Sequence, residues 1–311
     1  MCTPSPTRPS RASASNGRFR NRTTPRYFPV PTRARFFSIV HRKVSLTRTS
    51  IKSPKEIESM RVACAKAAET LLAVGEIIAA GLTTDDINTF VHEDTLTRGG
   101  WPAPLNYRGF PKSVCTSVND IVCHGIPCGQ VLKDGDIVNV DVTTIYKGFH
   151  GDTSATFYVG NPSTMARRVT ECARRALALG IEEVREGQTL GDIGAAIQQH
   201  VEGEGFGVVR DFVGHGIGRK FHEDPQVKHY GKRGAGERLR AGMIFTIEPM
   251  VNEGTYAVEV DPADKWTVRT ADRGLSAQFE HTVLVTKKGC DVLTARSSVL
   301  RNSENRVALF V

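Results

Sequence analysis

Residues 132–141, LKDGDIVNVD, return 107 positions later as LRAGMIFTIE at 239–248, each time a glycine-led apolar strand ending in a carboxylate, Asp141 and then Glu248. Working outward, GLTTDDI at 81–87 reappears as GQTLGDI at 187–193, an offset of 106, and HGI at 124–126 reappears at 215–217, an offset of 91. Three echoes in one order predict a duplicated chain in which each unit runs helix, helix, His-Gly-Ile loop, strand. Two such units pack most simply as one domain about a pseudo-twofold axis, with Asp141 and Glu248 converging on a shared cleft.

The first helix announces itself. SPKE at 53–56 is a capping box with proline at the first helical position, so the Ser53 hydroxyl and the Glu56 carboxylate satisfy free amides. Ile57, Met60, Cys64, Ala67, Leu71, Val74 and Ile78 recur at helical spacing as a core stripe, and Gly81 is expected to end the helix. A second helix is predicted from Thr84 toward Arg98.

The chemistry lies in the acids. Residues 137–159 read as two strands joined by a tight turn at Lys147 and Gly148, which sets Tyr146 against Phe149 and Thr143 against Asp152. Asp141 and Thr143 then share a face, and Asp152 is a diagonal neighbour of Asp141 with Cβ atoms about 7 Å away. Two ionised carboxylates on a buried face repel and lose hydration, so they need positive charge. The apolar strand core holds no Lys or Arg to supply it. His215, Glu248 and Glu280, the last on an apolar strand predicted over 276–286, complete a set of four carboxylates and one imidazole. Two divalent ions would neutralise that charge, and oxygen-rich ligation with one nitrogen suits Mn, Co, Fe or Zn. Cys115, Cys123, His124 and Cys128 lack the paired short intervals of a structural zinc site. Small apolar packing is the expected role of Cys115 and Cys123, with Cys115 lining a pocket.

Composition bounds the alternatives. The 311 residues are 40% hydrophobic, enough for one large domain or two small ones. The longest apolar stretches, such as 71–81, carry a charge and fall far short of a membrane span, which excludes a transmembrane protein. Seven scattered cysteines predict free thiols in a reducing compartment. Net charge is +8, but residues 1–52 hold 12 of the 41 basic residues and no acid, so the rest is mildly acidic and its charge is no evidence for nucleic-acid binding. Residues 1–52 read as a basic, Ser/Thr/Pro-rich leader or transit-like tail, 53–296 as the catalytic domain and 297–311 as a C-terminal tail.

Further strings complete the pattern: LNYRGFPKSVC at 105–115, VCHGIP at 122–127, HGDTSATF at 150–157, GHGIG at 214–218, FHEDP at 221–225, TIEP at 246–249 and SAQFEHT at 276–282. On these the chain from about Ser53 to Thr294 closely resembles the type I methionine aminopeptidases, metallopeptidases of the pita-bread fold. The resemblance implies an α+β architecture of two pseudo-twofold-related helix-helix-sheet halves around a central antiparallel sheet. It makes Asp141, Asp152, His215, Glu248 and Glu280 ligands of two divalent metal ions, Asp152 and Glu280 bridging. It makes His124 and His222 outer histidines that contact the substrate and the tetrahedral intermediate. Tyr107, Phe110, Cys115, Phe221 and Trp266 fall where the family lines its methionine pocket. The tail has nothing like the zinc-finger region of the mammalian cytosolic form, Phe110 stands where many relatives have tyrosine, and Ala103 and Pro104 sit where some place a cysteine.

The implied reaction is removal of the initiator methionine from nascent chains with a small second residue. The ions would acidify a water and polarise the scissile carbonyl, and Glu248 would carry a proton from that water to the leaving amine. The implied partners are nascent polypeptide N-termini at the ribosome, with no membrane or specific nucleic acid, and the chain is expected to be a monomer. The expected compartment is the cytoplasm, or a mitochondrial matrix or plastid stroma if residues 1–52 are a transit peptide. Two rival readings are an X-Pro aminopeptidase of the same fold and a catalytically silent binding module, though all five ligand positions are filled here.

Overall fold

The structure, a computed structural model, describes residues 49–295. The first half runs α1 (Pro54–Ile77), α2 (Thr84–Thr97), β1 (Trp101–Pro102), β2 (Cys115–Val118), β3 (Ile121–Cys123), β4 (Ile137–Tyr146) and β5 (Phe149–Tyr158). The second runs α3 (Thr164–Glu182), α4 (Leu190–Gly203), β6 (Gly207–Val208), β7 (Gly214–Gly216), β8 (Glu223–Val227) and β9 (Ile244–Ile247). It continues with β10 (Met250–Asn252), β11 (Val258–Val260), β12 (Val268–Thr270), β13 (Ser276–Gln278), β14 (Glu280–Val285) and β15 (Cys290–Val292). The main sheet has nine strands in the order β1-β4-β5-β14-β9-β7-β8, with β2 on β4 and β15 on β14. Its pairs are all antiparallel.

The duplication shows in matched backbone bonds. The Gly81 amide donates to Leu132 and the Gly187 amide to Leu239; Leu132 donates to Leu82 and Leu239 to Gln188. Gly135 and Gly242, at φ +94° and +91°, open the two strands and donate to Val159 and Val285. Capping boxes Thr83–Asp86 and Thr189–Asp192 start α2 and α4. One echo fails. His215 lies on β7, which pairs β9 through Gly216 and Phe245, and the matching contact in the first half is Val118 against Val138, on β2. His124 instead follows β3, which pairs β12, so the His-Gly-Ile match is not part of the structural repeat.

Other expectations are met or amended locally. Ser53 caps α1 as expected, its amide donating to Glu56 Oε2 at 3.1 Å. The helix stops at Ile77, and Gly81, at φ +94°, serves the turn into Thr83 rather than the helix end. The β4–β5 hairpin has the predicted register, Tyr146 opposite Phe149 and Thr143 opposite Asp152. The single strand expected over 276–286 is two, broken at the buried Phe279: β13 pairs β10, whereas β14 pairs β5, β9 and β15. Cys64, Cys115, Cys123, Cys172 and Cys290 are free thiols, but the half-buried Cys128 is disulfide-bonded, against the expectation for all seven. Residues 49–52, placed with the leader by composition, are packed: Thr49 is buried and the Lys52 amide donates to Gly242 at 2.8 Å. The rest of the leader and the C-terminal tail, 1–48 and 296–311, lie outside the described residues.

The core is the layer between helices and sheet. Ala67, Leu71 and Val74 of α1 and Val169, Ala173 and Ala176 of α3 meet Val138, Val140, Phe245 and Ile247 of the strands in one continuous apolar cluster. At Gly151 the helix comes so close that a Cβ would lie 2.4 Å from the Cys64 amide nitrogen. That approach fixes the strand that carries Asp152.

Candidate metal centre and its pocket

Strand register assembles the acids. Asp141 pairs Ser154 across β4–β5, and Ser154 pairs Glu280 across β5–β14. The pairing of His281 with Ile247 carries the same row on to Glu248 beyond the end of β9. The positions of the row Asp141–Ser154–Glu280–Glu248 correspond from either end of the duplication, since 107 separates the outer two and 126 the inner two, the offset that also relates Val159 to Val285, although Ser154 stands opposite Glu280 in that correspondence. Asp152 stands two residues along β5 on the same face. His215 enters from β7, its amide donating to Thr246 Oγ1 at 3.0 Å.

The side chains converge. Ligand-type atoms of Asp152, His215 and Glu280 all lie within 4.8 Å of one another. His215 Nε2 is 3.6 Å from Asp152 Oδ2 and 3.7 Å from Glu248 Oε1. Thr143 donates to Asp152 Oδ1 at 2.7 Å, and Thr246 to Glu248 Oε1 at 2.7 Å. Gln278 Nε2 reaches Glu248 Oε2 at 3.3 Å, and the Glu248 amide donates to Nε2 of the fully buried His229 at 3.1 Å. These neighbours fix the carboxylates without neutralising them.

Burial pushes the pKa values of Asp141, Asp152, Glu248 and Glu280 upward, and for Asp152, Glu248 and Glu280 the neighbouring carboxylates add to the effect. Asp141 Oδ1 and Glu280 Oε1 are buried without a hydrogen-bond partner. Among the described residues, Arg108 alone of the lysines and arginines lines the cavity, and it is exposed over the Tyr107 ring. Four carboxylates around one imidazole, with two orphaned oxygens, fit divalent cations and fit little else. Burial lowers His215 to about 4, leaving a neutral imidazole with a lone pair for a metal.

The cavity, about 290 Å³, is lined by every residue singled out from sequence: the five ligand-type side chains, His124, His222, Tyr107, Phe110, Cys115, Phe221 and Trp266. Phe110 meets Trp266 edge-on at 5.3 Å, and Tyr107 meets Phe221 at 4.9 Å. Cys115 pairs Asp141 across β2–β4, which puts its thiol beside the acid row, and burial pushes that thiol well up, so it stays neutral. His124 sits at φ +56°, a left-handed strain that holds its ring edge-on to Phe212 and Trp266. Burial lowers it to about 4. The His222 ring is pushed down too, by desolvation and then by His215 and Arg108.

Sequence reading missed several contributors. Thr143 and Thr246 each stand two residues from an acid on a strand, so the alternation that grouped Asp141 with Thr143 could have found both. Phe212, Cys123 and Gln278 line the same cavity, and His229 lies behind it. No local pattern marks His229.

Residues 58–287 match metallopeptidase family M24. The chain is 53% identical over 247 residues to methionine aminopeptidase A of Synechocystis sp., covering 79% of this chain and 97% of that protein. The crystal structure of methionine aminopeptidase from Rickettsia prowazekii superposes with a TM-score of 0.79 at 48% identity, over 79% of this chain and all of that one. Prolidase from Pyrococcus furiosus, at 23% identity and TM-score 0.64 over 80% of this chain and 66% of that one, shares the fold alone. A family match across most of the described residues, joined to half-identity with proteins matched almost end to end, assigns the chain to metallopeptidase family M24 and, within it, to the pita-bread methionine aminopeptidases.

Proposed function

We infer that this enzyme removes the initiator methionine from nascent polypeptides whose second residue is small, by metal-assisted hydrolysis of the first peptide bond. The observation that carries the reading is the row of buried, partly orphaned carboxylates at the wall of a pocket built from aromatic rings and a neutral thiol. Asp141, Asp152, His215, Glu248 and Glu280 would hold two divalent ions of Co, Mn, Fe or Zn, which when bound supply Lewis acidity to the scissile carbonyl and to the attacking water.

The chain's own residues do the rest. Tyr107, Phe110, Cys115, Phe221 and Trp266 receive the unbranched, polarisable thioether. Glu248, held through both carboxylate oxygens by Thr246 and Gln278, accepts the proton of the attacking water and delivers it to the leaving amine. His222, neutral and hydrogen-bonded through Nδ1 to Tyr107, donates from Nε2 to the carbonyl oxygen as charge develops on it. His124, edge-on to Phe212 and Trp266, contacts the substrate.

The test is hydrolysis of Met-Ala-Ser, Met-Lys-Ser and Ala-Pro-Ser by metal-stripped protein with Mn or Co restored in steps. Metal-dependent cleavage of the first peptide alone, abolished by Asp152→Asn, is the expected result. Cleavage of only the proline peptide would overturn the specificity, and no cleavage under any metal would overturn the activity.

A further inference from the structure

The loop that carries Phe221 and His222 joins β7 to β8, and the pairing of Gly216 with Glu223 closes its neck. Lys52, just ahead of α1, reaches that neck. Its side chain is 7% exposed, and its ammonium meets Glu223 Oε1 and the Ser50 hydroxyl. Ser50 donates to the same carboxylate oxygen at 3.0 Å. On the other leg of the loop, a Cβ added at Gly218 would lie 2.7 Å from Lys52 Nζ, so the ammonium is wedged between the two legs. From the far side, the amide of His150 donates to Gly218 O at 2.9 Å, and the His150 ring stacks on Phe221 at 5.6 Å.

The strap itself is anchored. The Lys52 amide donates to Gly242 O at 2.8 Å, at the turn that leads into β9 and Glu248, and Thr49 Oγ1 donates to Glu237 Oε2 at 2.5 Å. One short segment therefore touches both the loop bearing His222 and the turn leading to Glu248. A buried ammonium is retained only where it is paired, and among the described residues this one pairs with one carboxylate, Glu223, next to His222.

We propose that Lys52 is a positioning residue for catalysis: through Glu223 and Gly218 it fixes the loop that presents His222 to the substrate. The packed catalytic domain thus includes Thr49 and Lys52, inside the segment that composition assigns to the leader. The proposal rests on the role given above to His222, and the experiment separates the two.

The full chain, loaded with Mn, is compared with Lys52→Met, His222→Ala and the double variant, reading kcat and KM for Met-Ala-Ser together with Tm. A loop displaced by a fraction of an ångström is expected to lower kcat about tenfold in Lys52→Met with little change in KM. In the His222→Ala background the same substitution is expected to change kcat less than about twofold, because the group it positions is gone. An equal loss in both backgrounds overturns the proposal, since Lys52 then acts by some other route, such as general stability read in Tm. Full activity of Lys52→Met also overturns it. Full activity of His222→Ala overturns the role of His222 and the proposal with it.

Discussion

The Tyr107 hydroxyl and His222 Nδ1 are 2.9 Å apart, between rings stacked at 5.2 Å and 27°. On the proposed mechanism, the phenol that would line the methionine pocket would also favour the tautomer of His222 that carries its proton on Nε2. Tyr107→Phe keeps the ring and removes this bond. It is expected to lower kcat about threefold to tenfold, the worth of one net hydrogen bond of about 0.5–1.5 kcal/mol, with KM nearly constant. Steady-state kinetics on Met-Ala-Ser checks this, and a rise in KM alone would show the hydroxyl to be a substrate contact instead.

Thr143 orients Asp152 and holds no other obvious duty at the site. Thr143→Val preserves the strand and the volume while removing the donor. Metal affinity is expected to fall about 10- to 100-fold, as for other partners of ligand side chains, and calorimetric titration of Mn into stripped protein measures it.

Metal removal should reverse the pH dependence of stability. Asp141 is pushed up to about 7 and Glu248 to about 8 from ordinary carboxylate values near 4, chiefly by burial. Between those limits the stripped native state holds protons that the unfolded chain has released, so its stability falls as pH rises. The buried neutral histidines, lowered to about 4 at His124 and His215, act in the opposite sense only below their unfolded value near 6.5. The clean window is therefore pH 6.5 to 8. There the stripped protein is expected to lose Tm with rising pH, and protein saturated with Mn is expected not to. A flat profile for the stripped form would mean that the carboxylates are ionised without metal.

Gly151→Ala tests the seat of Asp152. The added methyl would lie 2.4 Å from backbone atoms of Ala63 and Cys64, where nothing flexible can yield. A loss of about 1–3 kcal/mol is expected from overpacking, read as a lower Tm, together with weaker metal binding as Asp152 shifts. Unchanged Tm would show that α1 moves aside freely.

Much of this was legible in the chain because the signals were local. The period-two pattern and the tight turn at Lys147 and Gly148 fixed the β4–β5 register to the residue, and the Ser53–Glu56 box fixed the start of α1. Side-chain chemistry named the acids even though partners such as Asp141 and Glu280 are far apart in sequence. What escaped was decided by distant pairing. The break at Phe279 arises because β13 and β14 take different partners, which no single residue of 276–286 announces. The Thr49–Lys52 strap hid within a basic leader because composition averages over a short segment in which only Thr49 and Lys52 are buried. The second His-Gly-Ile was a real string in the wrong register, a reminder that identity of letters does not imply identity of pairing.

The place of the acids along the chain has one further consequence. Asp141 and Asp152 precede the connector at residues 160–163, and His215, Glu248 and Glu280 follow it, with Ser154 and Glu280 meeting where β5 joins β14. Neither half holds all of the proposed ligands, so on that reading the chemistry belongs to the seam. The connector acts as a tether that sets the effective concentration of one half at the other. A chain nicked there would turn an intramolecular site into a bimolecular one, whose occupancy depends on dilution.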